Sequence, residues 1–170
     1  MFLKHQCIIG YTLTMDLMYK IIISHRGNLD GKSKNENTLS SIMKCLDIVN
    51  LNVEVDVWYH KHNFWLGHDE PTYLLHNYRI LQDTRIWCHA KNLEAARQLK
   101  SFDCHFFWHQ KDDFTITSSG FFWTYPGKKL CNNSIAVLPE IKIDKETIDK
   151  AIGVCTDFPL RYIEKTNRYG

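Results

Sequence analysis

The sequence lacks the features by which several large classes of protein are recognised. It contains no GxGxxG or GxxxxGK[ST] motif, and so has neither of the common phosphate-binding loops of nucleotide-binding proteins. Its 170 residues carry a formal net charge of only +2, which argues against a general nucleic-acid-binding protein. No apolar run approaches the ~20 residues that a membrane-spanning helix needs.

Cysteine is present, but without the spacing of a metal or redox motif. The six cysteines lie at positions 7, 45, 88, 104, 131 and 155, and none forms a CxxC pair. Cys88, Cys104 and Cys155 lie in or beside apolar runs that are typical of strands. We therefore predict free thiols and a reducing, cytoplasmic compartment. Residues 1–19 hold only an interrupted apolar run, a poor signal peptide, and are predicted to be an extension before a single domain formed by residues 20–170.

Short β-rich runs alternate with helical stretches along this domain. The predicted strands cover residues 20–25, 51–59, 63–69, 85–91, 104–110, 120–126, 134–141 and 153–159, and the predicted helices cover 36–50, 73–82, 93–101, 144–152 and 160–167. This alternation is typical of a parallel sheet. It predicts an α/β fold, a compact (β/α) TIM-type barrel. Because such barrels usually have about 250 residues, the helices should be short or missing. A doubly wound open sheet is the alternative.

The predicted strands end in polar side chains. The first strand ends in His25-Arg26, and three later segments end near His68, His89-Ala-Lys91 and His109. In a (β/α) barrel the carboxyl ends of the strands form the rim where active sites are built. We therefore expect these groups to meet at one site.

The stretch VEVDV, residues 53–57, places two carboxylates on one side of a strand. Glu54 and Asp56 are two residues apart, so their side chains point the same way. Two carboxylates directed at one point repel unless a cation joins them, which predicts a divalent metal held by oxygen ligands. Histidines on separate strands, His25 and His68, suit an acid and a base in one displacement.

Cationic side chains accompany these groups. Arg26 and Lys91 follow the ends of two predicted strands, and both are suited to binding a phosphate. A phosphate ester is therefore the expected ligand.

Five short motifs together resemble the glycerophosphodiester phosphodiesterase family. They are HRG (25–27), ENT (36–38), VEVDV (53–57), GHD (67–69) and TDFP (156–159), in that family's order and at similar intervals, from about residue 21 to residue 160. Each motif alone is weak, whereas the combination is specific. The family belongs to the phospholipase-C-like phosphodiesterase barrels, which also include sphingomyelinase D.

The resemblance implies a TIM-type barrel that binds one divalent cation, usually Ca²⁺ or Mg²⁺. It implies that His25 and His68 are the general acid and base, that Glu54 and Asp56 bind the metal, and that Arg26 contacts the phosphate. The family's third strand commonly reads Glu-x-Lys.

This chain departs from that pattern at one position, because it has His89 where the family has the glutamate, while Lys91 matches. An imidazole ligand favours Mn²⁺ or Zn²⁺. Alternatively Glu140, near the end of a later strand, supplies the missing carboxylate.

The aromatic runs around residues 104–110 and 120–126 are harder to interpret. His109 either hydrogen-bonds the substrate or only makes hydrogen bonds to other groups of the rim. Trp123 either contacts the substrate or belongs to the core. Asp157 is expected to fix the rim by accepting backbone N–H bonds.

The leading hypothesis is a phosphodiesterase acting on a small-molecule or lipid phosphodiester. The alternatives are a degenerate barrel that binds a phosphorylated ligand and a lyase of the sphingomyelinase D type that releases a cyclic phosphate.

Overall fold

The computed structural model describes residues 21–142 and 148–167, which form one curled β-sheet with short helices. The ten strands are β1 (Ile21–His25), β2 (Asn52–His60), β3 (Asn63–Leu66), β4 (Tyr73–Leu74), β5 (Ile86–Ala90), β6 (Phe106–Phe107), β7 (Phe114–Ile116), β8 (Phe122–Thr124), β9 (Ser134–Val137) and β10 (Gly153–Thr156). Four helices are bounded within the described residues, namely α1 (Leu39–Met43), α2 (Leu93–Ser101), α3 (Pro139–Lys142) and α4 (Leu160–Asn167). None of the described helices has the length and hydropathy to cross a membrane.

The prediction of a TIM-type barrel was wrong. The sheet is mixed, and its strands follow the order β4-β3-β2-β1-β10-β9-β8-β7, with β5 paired to β2 and β6 paired to β5. Three antiparallel pairings among the described strands, β2 with β3, β3 with β4 and β7 with β8, interrupt the alternation of strand and helix. Between β6 and β9 the described chain forms the β7–β8 hairpin and no helix. The product is a curled half-barrel, since too few residues separate the strands for a full set of crossover helices.

Several predicted elements changed length or type. The helix predicted over residues 73–82 is wrong, since this stretch forms β4 and a 3₁₀ turn (Tyr78–Gln82). The helix predicted over 36–50 shrinks to α1 and a π-helical turn (Lys44–Ile48). The strand predicted over 134–141 ends at Val137, and α3 begins at Pro139, a residue that favours the first turn of a helix.

Other predicted elements fall partly or wholly outside the described residues. The extension predicted for residues 1–19 lies there completely, so the domain boundary stays a prediction. Residues 144–147 of the helix predicted over 144–152 lie there as well, and of residues 148–152, which the structure describes, only Ile148 is helical. By contrast, the helices predicted over 93–101 and 160–167 are confirmed as α2 and α4. In α2 the Asn92 side chain caps the first turn by accepting from the Ala95 N–H at 2.9 Å.

Strand β2 separates the apolar core from the polar site. Val53, Val55 and Val57 are fully buried in a core cluster on the sheet face that also packs against α1 and α2. Because side chains alternate along a strand, Glu54 and Asp56 point to the opposite face, inside the curl. The alternating sequence pattern therefore belongs to a strand with one apolar face in the core and one polar face at the site.

Parallel pairing brings the polar side chains of three strands side by side. In the β1–β2 register His25 is the partner of Glu54, and in the β2–β5 register Asp56 is the partner of His89. Residues paired in register share a face of the sheet. The sheet thereby assembles four candidate site residues from three strands.

Candidate active site

A cavity of about 370 Å³ opens at the carboxyl ends of the parallel strands. Most of the site residues predicted from the sequence line it. These are His25, Arg26, Glu54, His68, His89, Lys91, His109 and Trp123. Asp56 lies directly beneath them and is fully buried, whereas Glu140 does not line the cavity. The structure thus brings together residues that lie as far apart in the chain as positions 25 and 123.

Glu54, Asp56 and His89 form a cluster whose candidate ligand atoms all lie within 4.8 Å of one another. His89 Nδ1 is 3.0 Å from Asp56 Oδ1 and 3.8 Å from Glu54 Oε1. Both carboxylates are buried, and the imidazole is largely so. We refer to these three residues as the acidic cluster.

Asp56 is the centre of the charged side of the cavity. Asn37 holds it twice, donating from Nδ2 to Asp56 Oδ2 at 3.0 Å and accepting the Asp56 N–H at 2.9 Å. Arg26 Nε lies 2.9 Å from Oδ2, an ion pair without hydrogen-bond alignment, and Lys91 Nζ lies 3.1 Å from Oδ1. Burial alone would raise the pKa of Asp56, but its contact with His89 and the charges of Arg26 and Lys91 outweigh burial and hold the pKa far below its ordinary value.

The electrostatic surroundings of Glu54 act in the opposite direction to those of Asp56. Its side chain is buried, and within the described chain its Oε2 atom has no hydrogen-bond partner. Burial and the neighbouring charge of Asp56 together raise the pKa of Glu54 above its ordinary value. A buried carboxylate oxygen without a partner is costly unless a proton or a cation compensates it.

His25 is oriented by an acid that directly follows the neighbouring strand β10. Its Nδ1 lies 2.7 Å from Asp157 Oδ1, which also accepts a hydrogen bond from Asn28 Nδ2 at 2.9 Å. The other ring nitrogen, Nε2, lies 3.9 Å from Glu54 Oε2. Burial lowers the pKa of His25, but the Asp157 hydrogen bond and the Glu54 charge outweigh it, so the pKa is raised. The Asp157 carboxylate therefore accepts bonds from side chains, in place of the backbone N–H bonds that we expected.

The HRG turn after β1 holds Arg26 over the acidic cluster. Arg26 adopts a left-handed conformation with φ 55° and also pairs with Glu36, NH1 to Oε2, at 3.3 Å. Gly27 has φ 82°, and a Cβ there would come within 2.5 Å of the Ser41 hydroxyl of α1. Only glycine fits this turn without displacing the helix.

His68 is placed differently from His25. It lines the cavity, but its side chain is 45% exposed, and Nδ1 pairs with the exposed Asp69 at 2.7 Å. The preceding Gly67 is anchored more firmly, since its carbonyl accepts the Trp58 indole N–H at 2.7 Å. Gly67 also has φ 149°, and a Cβ there would overlap the Glu70 carbonyl oxygen. The loop backbone is thus fixed by its contacts, while the imidazole stays at the solvent edge.

Aromatic and imidazole rings form the opposite wall of the cavity. His109 stacks on His89 with ring centroids 4.7 Å apart and planes within 2°, and it meets the edge of Tyr125 at 5.1 Å. Burial, together with the charges of His89 and Lys91, lowers the pKa of His109 to about 4. Trp123 is 3% exposed and stacks on Phe107 at 4.3 Å. Trp123 is therefore mainly a core residue that closes the floor of the cavity.

Glu140, the alternative metal ligand, is engaged elsewhere. Its carboxylate accepts the Thr156 hydroxyl at 3.0 Å and the Asp157 N–H at 2.9 Å. It braces the loop that carries Asp157 and lies outside the acidic cluster. Of the two residues considered as the third metal ligand, His89 lies in the acidic cluster and Glu140 does not.

Two site residues gained roles that the sequence had not indicated. Asn37, the middle residue of ENT, was not singled out, although its hydrogen bonds fix Asp56. Asp157 was assigned to the rim and turned out to orient His25. The sequence feature that could have pointed to these residues is their place in short polar motifs that follow apolar runs. Their side-chain partners could not be predicted, because pairing between such distant positions cannot be read from spacing.

No family model, curated protein or solved structure matches the chain. The interpretation of the cavity consequently depends on its own geometry and on the motifs described above.

The acidic cluster has the composition of a divalent-cation site. Two of its oxygens, Glu54 Oε2 and Asp56 Oδ1, are buried and have no hydrogen-bond partner in the part of the chain that the structure describes. His89 Nε2 lies 3.4 Å from the His109 carbonyl oxygen, and a hydrogen bond there would leave Nδ1 unprotonated and facing the carboxylates. Arg26 and Lys91 already place positive charge beside Asp56, and a cation among the three residues would also compensate the buried Glu54 Oε2. Glu54, Asp56 and His89 are thus the residues that could hold a metal ion.

Proposed function

We propose that this cavity is the active site of a metal-dependent phosphodiesterase acting on a glycerophosphodiester or a related phospholipid-type phosphodiester. The observation that carries the proposal is the convergence of the acidic cluster, two cationic side chains and two histidines on one cavity. The residues that would hold the ion are Glu54, Asp56 and His89. When bound, the ion would supply positive charge that stabilises the developing charge on the phosphoryl oxygens.

The cationic side chains of the site are suited to orienting a phosphate. Arg26 and Lys91 both lie against Asp56 and both line the cavity. Because Asp56 and Asn37 fix their positions, little side-chain freedom would be lost when a phosphate binds. We assign them to the non-bridging oxygens of the diester, where they also stabilise the charge of the transition state.

The two histidines supply the proton transfers. In His25, Asp157 occupies Nδ1, so Nε2 is the atom that faces the cavity and exchanges a proton. In His68, Asp69 occupies Nδ1 in the same way. One histidine removes the proton from the attacking hydroxyl while the P–O bond forms, and the other donates a proton to the leaving alkoxide as its P–O bond breaks.

The attacking hydroxyl belongs either to water or to the substrate itself. Water gives a linear phosphomonoester, and a substrate hydroxyl gives a cyclic phosphate. Analysis of the product by ³¹P NMR distinguishes the two, because a five-membered cyclic phosphate resonates well apart from a monoester. We also propose a reducing, cytoplasmic compartment, which is supported by the free thiols at Cys45, Cys88, Cys104, Cys131 and Cys155.

The decisive experiment measures turnover of glycerophosphodiesters and of bis-p-nitrophenyl phosphate by the metal-stripped protein, with Mg²⁺, Ca²⁺, Mn²⁺ and Zn²⁺ added back separately. We expect activity that returns with metal, and a loss of roughly 100- to 10,000-fold in His25→Ala and in His68→Ala. The exposed His76→Gln is the control and should keep full activity.

Two outcomes would contradict the proposal. Full activity in either histidine variant would rule out the acid–base mechanism. No turnover with any ion, together with thermal stabilisation by phosphate esters, would indicate a protein that binds a phosphorylated ligand without cleaving it.

A further inference from the structure

The donor atoms of the acidic cluster bear on which metal it holds, a question that rests on the proposed function. The cluster offers two carboxylates and one imidazole nitrogen. Ca²⁺ sites in proteins take about six to eight oxygen ligands, and Mg²⁺ takes oxygen ligands almost without exception. Imidazole nitrogen instead suits Zn²⁺, Mn²⁺ and the neighbouring transition ions.

No further carboxylate, histidine or cysteine among the described residues joins the cluster. Three other carboxylates lie near the site, and each is already paired. Glu36 binds Arg26 and Asn28, Asp157 binds His25 and Asn28, and Glu140 binds Thr156 and the Asp157 N–H. A cation in the cluster would therefore have three protein ligands and take the rest from water or substrate.

The charges around the cluster also disfavour a cation held by charge alone. Glu54 and Asp56 contribute two negative charges, while Arg26 and Lys91 contribute two positive charges in contact with Asp56. These four charges cancel. A hard cation that depends on net negative charge gains little from such a site, whereas a transition ion also gains from its bond to nitrogen.

The His89 ring is held as metal-binding imidazoles commonly are. Its Nε2 lies 3.4 Å from the His109 carbonyl oxygen, which can accept its proton, while Phe107 and His109 stack on the ring at 4.9 and 4.7 Å. Such outer contacts fix the orientation and tautomer of a ligating histidine. They leave Nδ1 directed at Asp56 Oδ1, 3.0 Å away.

The separation of the donor atoms suits short metal–ligand bonds. Bonds of about 2.0–2.2 Å place neighbouring ligand atoms about 3.0–3.5 Å apart, whereas the longer bonds of Ca²⁺ require wider spacing. The observed distances from His89 Nδ1 are 3.0 Å to Asp56 and 3.8 Å to Glu54. The pair in closest contact thus matches the shorter bonds.

We propose that the cluster of Glu54, Asp56 and His89 is a mixed nitrogen–oxygen site that selects Zn²⁺ or Mn²⁺ over Mg²⁺ and Ca²⁺. The selectivity comes from His89 Nδ1, which is free to bind an ion when the ring proton lies on Nε2 and is donated to the His109 carbonyl oxygen. The site holds the ion through two carboxylate oxygens and one imidazole nitrogen.

The test is metal binding, measured without any substrate. The metal-stripped full chain is titrated by calorimetry with the four ions separately, and Zn²⁺ or Mn²⁺ should bind roughly 100-fold more tightly than Mg²⁺ or Ca²⁺. His89→Glu replaces nitrogen by a third carboxylate and should reduce that preference to less than about tenfold. The exposed His76→Gln is the matched control for loss of an imidazole and should keep the wild-type order of affinities.

A second measurement needs no variant and covers the case in which His89→Glu fails to fold. Electron spin-echo envelope modulation of the Mn²⁺-loaded wild-type protein should show coupling to a directly bound imidazole nitrogen. Absence of that coupling, equal affinity for all four ions, or no binding of any ion would each overturn the inference. Selective Zn²⁺ or Mn²⁺ binding without turnover of any diester would instead overturn the proposed phosphodiesterase and leave the metal site standing.

Discussion

The two walls of the cavity are built by different kinds of interaction. The charged wall consists of polar side chains on and after β1, β2 and β5, joined by ion pairs and hydrogen bonds of about 3 Å or less around Asp56 and His25. The aromatic wall is formed by Trp108, His109 and Tyr125, and His109 makes ring contacts with His89 and Tyr125 at centroid distances of 4.7 and 5.1 Å. Directional bonds fix atoms in place, whereas stacking fixes only the plane of a ring.

This difference predicts that the two walls have separate roles in catalysis and in substrate selection. The charged wall positions individual atoms and should govern turnover and stability, because each of its buried charges depends on its partners. The aromatic wall offers shape and apolar surface and should govern which alcohol group of a diester fits. Variants in the two walls should therefore affect different kinetic constants.

Removing the central acid should have the largest effect on the charged wall. In Asp56→Ala the largely buried Arg26, His89 and Lys91 lose their shared counter-charge. We expect the free energy of unfolding in urea to fall by about 3–5 kcal/mol. The control Asp69→Ala, whose carboxylate is 91% exposed, should change it by less than about 0.5 kcal/mol. Equal effects in the two variants would contradict the central role of Asp56.

The buried histidine–acid pair should matter more for turnover than the exposed pair. Asp157→Asn removes the charge that orients His25, and we expect kcat to fall roughly 100- to 1,000-fold. Because the Asp157 hydrogen bond acts to raise the pKa of His25, its loss should move the His25 limb of the pH–rate profile to lower pH. Asp69→Asn, which alters the exposed His68, should have a much smaller effect. A larger effect of Asp69→Asn would invert the comparison.

Variants of Asn37 test how far the charged wall depends on the hydrogen bonds that this one residue makes to Asp56. It makes two hydrogen bonds to Asp56 and has φ 59°. Asn37→Gly removes the hydrogen bonds but tolerates the backbone, and should lower the free energy of unfolding by about 2 kcal/mol. Asn37→Ala also strains the backbone and should lose a further ~1 kcal/mol. If urea unfolding gives the same stability for both variants, the left-handed conformation carries no strain.

The charged wall was largely predictable from the sequence, and the reason is local. Glu54 and Asp56 are two residues apart on a strand, a spacing that fixes their common face whatever the fold. His25, His89 and Lys91 end or follow apolar runs, and parallel strands gather such ends at one edge. The structure accordingly places these residues around one cavity even though the predicted barrel was wrong. The nature of their pairing was not predictable, as the Asn37 clamp and the Asp157 contact show.

The aromatic half was predicted less well because its sequence pattern is ambiguous. Residues 104–110 and 120–126 each contain the run FFW, without the alternation that assigns faces. Only two and three residues of these stretches pair as β6 and β8, and the segment between them adds a hairpin strand that the sequence did not predict. Short strands without crossover helices leave the sheet a half-barrel. Both Trp108 and Trp123 line the cavity, and hydrophobicity alone could not show that Trp123 is buried while Trp108 is only partly buried.

The aromatic wall can be tested separately through Tyr125, which is 39% exposed and meets His109 edge-on. Tyr125→Ala should raise KM by roughly tenfold and change kcat by less than about threefold, since lost ring contact weakens ground-state and transition-state binding alike. Tyr125→Phe keeps the ring and should behave as wild type. Lys91→Met, on the charged wall, should instead lower kcat. The comparison fails if Tyr125→Ala lowers kcat as much as Lys91→Met.

The smallest expected effect concerns His105, which lies away from both walls. Its ring packs against Trp87 with centroids 4.1 Å apart and planes tilted by 52°, and burial lowers its pKa to about 4 from an ordinary value of 6.5. The folded protein thus holds this imidazole neutral while the unfolded chain binds a proton below pH 6.5. Its contribution to stability is complete above pH 6.5 and is lost progressively as the pH falls toward 4.

His105→Phe keeps a ring packed against Trp87 and removes the titration. Urea unfolding at several pH values should therefore give a shallower fall in stability between pH 6.5 and 4 for this variant than for the wild type. The exposed His76→Gln should keep the wild-type slope. Parallel slopes for His105→Phe and wild type would mean that His105 gains its proton as easily in the folded protein as in the unfolded chain. In that case the acid sensitivity of the fold would begin only below about pH 4, where the carboxylates of Asp56 and Asp157, whose pKa values are lowered in the folded protein, lose their stabilising charge.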